Sequence, residues 1–397
     1  DRARADDYYL GAETTVAHFT ALDSDGAVTA ELALDPEAYA GWVDWENPLT
    51  GESMGKPRRA GSDRRGSPRF MEMVINTPKS LSIAAALHPE VLVALDAAQQ
   101  DALAEIRRWL AQHSVTRVGS LGAQEVVPIE SMQVVGITHR TSRAGDPHLH
   151  THVVISNKVQ TVHDGRWRSL DGRTLHAATV ALSELHEAVF ADHMTRTFGV
   201  EWEARDMGRD RNPAWAISTV PEELVEEFST RARHIEVEKD RLIAEYVARH
   251  GRQPSTATII KLRAQATLST RPEKEVRSLA DLTAEWRTRA TGVLGQDATG
   301  WARTVTDNDK ALLLRADDVP LEVVAELGQT VVEVVGEKRS TWRRWNLMAE
   351  ASRHTMGWRF ATMRDREAVV GMIADAAEQA SLRLTPPDLV TSPAAFR

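Results

Sequence analysis

The chain contains no cysteine, which excludes a disulfide framework and a thiolate metal site. Any metal must be held by His, Asp or Glu, and the absence fits the reducing cytoplasm in which the protein is expected to act. No run of 18 apolar residues occurs, so no membrane-spanning segment is expected. Positive charge is also short. The 48 Lys and Arg stand against 57 Asp and Glu, for a net charge of -9, which argues against a protein that grips duplex DNA through its overall field but leaves room for a local basic groove. Tyrosine is scarce, at 4 residues against 11 Trp. Tryptophan is a side chain on which unstacked bases sit, although core packing accounts for most examples. There is no internal repeat and no low-complexity tract. The segment Gly51 to Pro57 lacks the Gly-x4-Gly-Lys-Ser/Thr spacing of a phosphate-binding loop. Asp1 is preceded by no initiator Met or apolar leader, from which a fragment of a longer protein is expected.

What is present centres on Asp146-Pro147-His148-Leu149-His150-Thr151-His152, which runs directly into Val153, Val154 and Ile155. A histidine at every second position predicts a β-strand with His148, His150 and His152 on one face, because strand side chains alternate with a period of two. Met132 to His139 is a second β-branched run, and the Gly, Asp and Pro between Ser142 and Pro147 predict a connecting loop. Antiparallel pairing of the two runs brings His139 close to the other three. Converging neutral imidazoles suit a divalent metal bound through nitrogen with open positions for a substrate; any three of the four could supply it. The plainer reading, ordinary hairpin histidines bonded to backbone, is the weaker one for a cluster this dense.

At 397 residues the chain should hold two or three units. Phe70 to Ile75 predicts an apolar strand carrying one acid, Glu72, closed by Asn76-Thr77-Pro78-Lys79-Ser80; a carboxylate there costs free energy to bury unless paired, and so often marks a site, although on an edge strand it could simply face water. The segment from Lys56 through Arg58, Arg59, Arg64 and Arg65 to Arg69 reads as a basic loop able to lie along a phosphate backbone, or as a solvated loop. Tyr8 and Tyr9 stand side by side near the start. A phenol can form a covalent intermediate with phosphorus when a metal polarises the phosphate, whereas a lone aromatic pair would more often anchor a helix. Pro89 to His113 and Ala177 to Phe198 have helical apolar spacing, and Asp164-Gly165 signals a tight turn. Helices alternating with antiparallel strand pairs predict an α+β fold, followed from Leu279 to Thr385 by a continuous helical stretch.

Taken together, the Tyr pair, the acid before Asn76-Thr77-Pro78-Lys79-Ser80, His139 and the Asp146 to His152 motif resemble the MobF class of conjugative relaxases, in the HUH endonuclease superfamily. The resemblance covers residues 1–290 as a relaxase domain with a palm-like antiparallel sheet and flanking helices. It implies a transesterase that nicks single-stranded DNA at an origin of transfer through a 5′-phosphotyrosine and can rejoin it. It implies His139, His150 and His152 as the metal ligands, His148 not as a ligand but either behind them or facing DNA, and Glu72 orienting a ligand histidine or taking the tyrosine proton. Glu72 stands where the family usually has Asp. Tyr8 or Tyr9 is the implied nucleophile, with further family tyrosines lying upstream. Arg58, Arg59, Arg64, Arg65, Arg69 and Lys79 are expected to contact DNA. The expected cofactor is a divalent ion, Mg2+ or Mn2+, with Zn2+ or Ni2+ also suited to imidazole. Expected partners are the origin strand with an adjacent hairpin and other relaxosome and coupling proteins. Residues 291–397 resemble the helical segment that joins the relaxase to a helicase, and a helicase is expected after Arg397. A rolling-circle replication initiator and a non-catalytic DNA-binding module on the same fold are the alternatives.

Overall fold

The structure, a computed structural model, describes residues 16–58, 66–120, 123–206, 213–272, 277–306 and 312–384. Two compact units divide the chain: residues 1–174 with 197–309, and residues 175–196 with 310–397.

The first unit is built on seven strands, β1 (Ala17–Asp23), β2 (Val28–Leu34), β3 (Phe70–Asn76), β4 (Val115–Val118), β5 (Glu125–Thr141), β6 (Pro147–Thr161) and β7 (Trp167–Ser169). They form one sheet in the order β2-β1-β5-β6-β3, with β4 added to β5 and β7 to β6, and every described pairing is antiparallel. The α+β expectation holds. Alternation along the strands divides the sheet into two apolar faces. On one, Phe19, Val135, Ile137 and Val154 pack with Tyr39, Trp42 and Val43 of α1 (Pro36–Val43) and with Trp45 and Met54 of the following loop. Trp42 fixes this cover by donating its indole N–H to Gln133 at 3.0 Å. Helices α2 (Lys79–Leu87) and α3 (Pro89–His113) lie on the other face, where the Gln99 amide of α3 reaches the Thr151 hydroxyl at 3.1 Å. The same unit carries the hairpin β8 (Trp202–Arg205) and β9 (Ala214–Ile217).

Further helices of this unit are α5 (Glu222–Glu227), α6 (Thr230–His250), α7 (Thr256–Ser269), α8 (Leu279–Leu294) and α9 (Ala298–Arg303); α4 (Gly172–Phe198) precedes β8 in the chain. The helical stretch expected from Leu279 to Thr385 is interrupted. Gly295 ends α8 in the left-handed conformation, φ 64°, which glycine adopts without a Cβ clash. Residues 339–343 leave the helix after α10 (Leu321–Lys338), although they contain neither Gly nor Pro. Their break has a tertiary cause: Trp342 donates to the Ser381 hydroxyl at 3.1 Å, and Asn346 accepts from the Arg343 N–H at 3.0 Å to open α11 (Arg344–His354).

In the second unit, α10, α11 and α12 (Met363–Gln379) surround Val331, Val335, Leu347, Phe360, Val369 and Ile373. Asp192 and Arg366 form a buried ion pair there, 2.6 Å from Nε to Oδ2, and Arg353 bridges Glu184 and Glu350 at 2.8 Å each. At the α10–α12 contact, a methyl group added to Gly328 would lie 2.7 Å from the Ala376 Cβ, whereas one added to Gly336 meets nothing within 4 Å. Gly328→Ala should therefore destabilise this unit by about 1–3 kcal/mol through overpacking, and Gly336→Ala should stabilise it by up to about 1 kcal/mol, both read from thermal unfolding. Burial, and then the neighbouring Glu184, push the Glu187 carboxyl up to about 7. Its folded-state value exceeds the unfolded one, so its contribution to stability is lost as pH rises through that range. Glu187→Gln should accordingly melt higher than wild type at about pH 8 and converge with it near about pH 4.5.

Candidate metal centre and hairpin clamp

The register of one strand pair creates the site. His139 stands directly opposite His150 in the β5–β6 ladder, with Thr138 opposite Thr151 and Ile137 opposite His152. Period-two alternation then puts His139, His148, His150 and His152 on one face, at the end of the sheet beyond the α1 cover. Ring centroids of His139, His150 and His152 form a nearly equilateral triangle, 5.3, 5.3 and 5.2 Å on its sides. With a metal–nitrogen bond of about 2.1 Å and a ring centre roughly 1.1 Å further out, three imidazoles at tetrahedral angles hold their centres about 5.2 Å apart. His148 stacks on His150 at 4.9 Å and stands outside the triangle.

Hydrogen bonds select the tautomers. His152 Nδ1 is bonded to Glu72 Oε1, and His150 Nδ1 to the His148 carbonyl at 3.0 Å. Each oxygen accepts the Nδ1 proton, which leaves the lone pair on Nε2 as the donor toward the centre. Glu72 reaches His152 because β3 pairs with β6 so that Glu72 opposes Val154 and Val74 opposes His152, a diagonal contact on the shared face. Thus an acid on an edge strand is engaged with a histidine. Burial, and then His152, hold His150 down at about 4, the His148 carbonyl acting in the opposite sense; burial, His150 and Lys79 hold His148 down at about 3. Both rings are neutral at physiological pH, the form that ligates. Among the described residues, no group of three or more His, Asp or Glu side chains is already placed to hold an ion. The three rings nonetheless have the spacing that such an ion needs.

A second layer grips the histidine strand from behind. The Thr77 hydroxyl donates to the Leu149 carbonyl at 3.1 Å and contacts the Ser82 hydroxyl at 2.7 Å; Ser82 Oγ accepts from the Leu149 N–H at 3.1 Å. Lys79 donates to the Pro147 carbonyl at 2.6 Å, and burial lowers its ammonium to about 8. The Asn76 to Ser80 segment is thus the strand's clamp, and Lys79 is directed into the hairpin. At the hairpin tip, the Gly145 carbonyl accepts from the Trp286 indole at 2.8 Å, and the buried Asp146 accepts from Arg289 and Thr230. Nothing local in the sequence points to Trp286 or Arg289, which lie about 140 positions from their partners.

The basic segment is tied at both ends. The Ser67 N–H donates to the Arg58 carbonyl at 2.9 Å, and the Ser67 hydroxyl accepts from the Arg58 N–H at 3.0 Å. Arg69 pairs with Asp44 at 3.0 Å, and its carbonyl accepts from the Trp45 indole at 3.0 Å. Tyr8, Tyr9, Arg59, Arg64 and Arg65 lie outside the described residues.

A family model, TrwC relaxase, matches residues 1–293. The chain belongs to that family. The chain is 28% identical over 253 residues to the Multifunctional conjugation protein TraI of Escherichia coli, and the match takes in 59% of this chain but 14% of TraI; TraI of strain K12 gives the same figures. The chain thus spans a small part of the length of these relatives. Among solved structures, conjugative relaxase TrwC in complex with OriT DNA, metal-free, is similar with a TM-score of 0.57 at 24% identity, covering 75% of this chain and 96% of TrwC. Its metal-bound complex gives 0.58 at 23% identity with the same coverage, and its complex with a 27-mer comprising the recognition hairpin and the cleavage site gives 0.56 at 23%. The chain shares their fold.

The Glu72 contact can be tested directly. Glu72→Gln keeps the size but removes the charge that holds the His152 proton, and should weaken divalent-metal affinity by about 10- to 100-fold, measured by isothermal titration with Mn2+.

Proposed function

We propose that this chain nicks and rejoins single-stranded DNA at one site of an origin of transfer, by metal-dependent tyrosine transesterification. The observation that carries this reading is the His139, His150, His152 triangle backed by Glu72, in a chain of the TrwC relaxase family. The similar TrwC structures hold OriT DNA, with metal and without, and TraI is named a conjugation protein.

In the step proposed, the hydroxyl of Tyr8 or Tyr9 attacks the scissile phosphorus. A bond forms from the phenolic oxygen to phosphorus as the bond from phosphorus to the 3′ oxygen breaks. The proton given up by the phenol is balanced by the one gained by the 3′ hydroxyl. One phosphodiester replaces another, so the reverse attack restores the strand. His139, His150 and His152 would hold a divalent ion, which neutralises charge on the phosphate oxygens when bound. Glu72 keeps the His152 donor turned inward. β1 begins at Ala17, opposite Ile137 and two positions from His139. The eight residues from Tyr9 to Ala17 can span roughly 26 Å when extended, so the triangle is within their reach.

The segment carrying Arg58, Arg59, Arg64 and Arg65 lies along the phosphate backbone, Arg69 and Lys79 flank that path, and His148 faces the DNA beside the metal. Residues 1–290 form the nicking domain and 291–397 the helical segment preceding a helicase, with other relaxosome and coupling proteins as partners. Among the described residues no helix is long and apolar enough to cross a membrane.

Incubating the protein with Mn2+ and a labelled oligonucleotide carrying the cognate origin should give a covalent adduct lost in Tyr8→Phe or Tyr9→Phe. Binding without adduct under any divalent metal would leave a silent DNA-binding module instead. His150→Ala should abolish both cleavage and bound metal; survival of both would make the strand histidines structural.

A further inference from the structure

The tip of the β5–β6 hairpin is held by a buried carboxylate with four hydrogen bonds. Asp146 is 1% exposed. Its Oδ1 accepts from both Arg289 Nη1 and Nη2, at 3.2 Å each, and from the Thr230 hydroxyl at 3.3 Å. Its Oδ2 accepts from the Thr230 N–H at 3.0 Å, at the start of α6. Arg289 is fixed in turn: Nε donates to Glu227 Oε1 at 2.8 Å, Nη2 to the Glu227 carbonyl at 2.9 Å, and the guanidinium lies 4.6 Å from the Phe228 ring centre. Within the loop, the Ser142 hydroxyl accepts from the Asp146 N–H at 3.2 Å.

A buried ion pair contributes little net stability, because desolvation offsets the attraction; what it does supply is a directional arrangement. Here the direction matters. Asp146 is followed by Pro147, whose φ is set by its ring and whose carbonyl accepts from Lys79. His148 and His150 come next. With residues 145 to 147 fixed from α8, α6 and α2, the entry of β6 has one orientation, and that orientation presents His150 to His139.

We propose that Asp146, locked to Arg289 and Thr230, is a positioning residue for the histidine triangle, acting through the backbone of the hairpin tip and not by touching substrate or metal. The proposal rests on the reading of the triangle as a metal centre.

Co2+ titration followed by its visible absorption bands reads ligand geometry apart from catalysis. Asp146→Asn and Arg289→Met should each weaken Co2+ binding by about tenfold and change the band shape, and each should lower the melting temperature, because one buried partner is left unpaired. The double variant should be no worse than either single one, since both remove one coupled unit. Arg289→Lys keeps the charge without the fork; it should fold and show the altered bands, and it decides the matter should Asp146→Asn not fold. Wild-type affinity and bands in Arg289→Lys and Arg289→Met, with binding lost in His150→Ala, would overturn the positioning role and leave the metal centre standing. Unchanged Co2+ binding in His150→Ala would overturn both.

Discussion

Everything at this site depends on the register of one antiparallel ladder. His139 and His150 meet because they are directly paired across β5 and β6. A slip of one residue would turn His148, His150 and His152 to the side occupied by α3. The pairing is held against such a slip by chemistry on both faces. On the α3 side, Thr138 and Thr151 join hydroxyls at 2.9 Å and Gln99 bonds to Thr151. On the other, Val135, Ile137 and Val154 are committed to the core under α1. The site is thus specified by residues that are not part of it.

Position in the sheet explains why the acid and the triangle can coexist. β3 is the edge strand of the path, so Glu72 keeps part of its hydration while one oxygen holds the His152 Nδ1 proton. A carboxylate buried further in would carry a heavier desolvation cost. The Glu72 side chain reaches this ring across the diagonal of the β3–β6 ladder.

The histidine strand, its partner run and the acid of β3 were legible in the sequence because period-two patterning is local, and His139, His148, His150 and His152 carry it openly. Helices such as Pro89–His113 were legible for the same reason, with the boundaries found in the structure. The clamp at the hairpin tip was not. Arg289 looks like any arginine on an amphipathic helix, and only the folded chain brings it to Asp146. The break at residues 339–343 was hidden likewise: that stretch has neither Gly nor Pro to signal it, and the Trp342 contact to Ser381 comes from a distant part of the chain. Lys79, expected from the sequence to contact DNA, donates to a backbone carbonyl in the strand it supports.

The second unit draws its first helical segment, residues 175–196, from the middle of the chain and its remainder from residues 310–397. During synthesis, that segment emerges with Asp192 and Glu184 still lacking the helices that carry their ion-pair partners, Arg366 and Arg353. The partners begin 114 residues later, by the difference between 310 and 196. At ribosomal speeds of about 5–20 residues per second, the wait is roughly 6–23 seconds. For that interval the two carboxylates await their guanidinium partners, so completion of the second unit is ordered by the direction in which the sequence is read out.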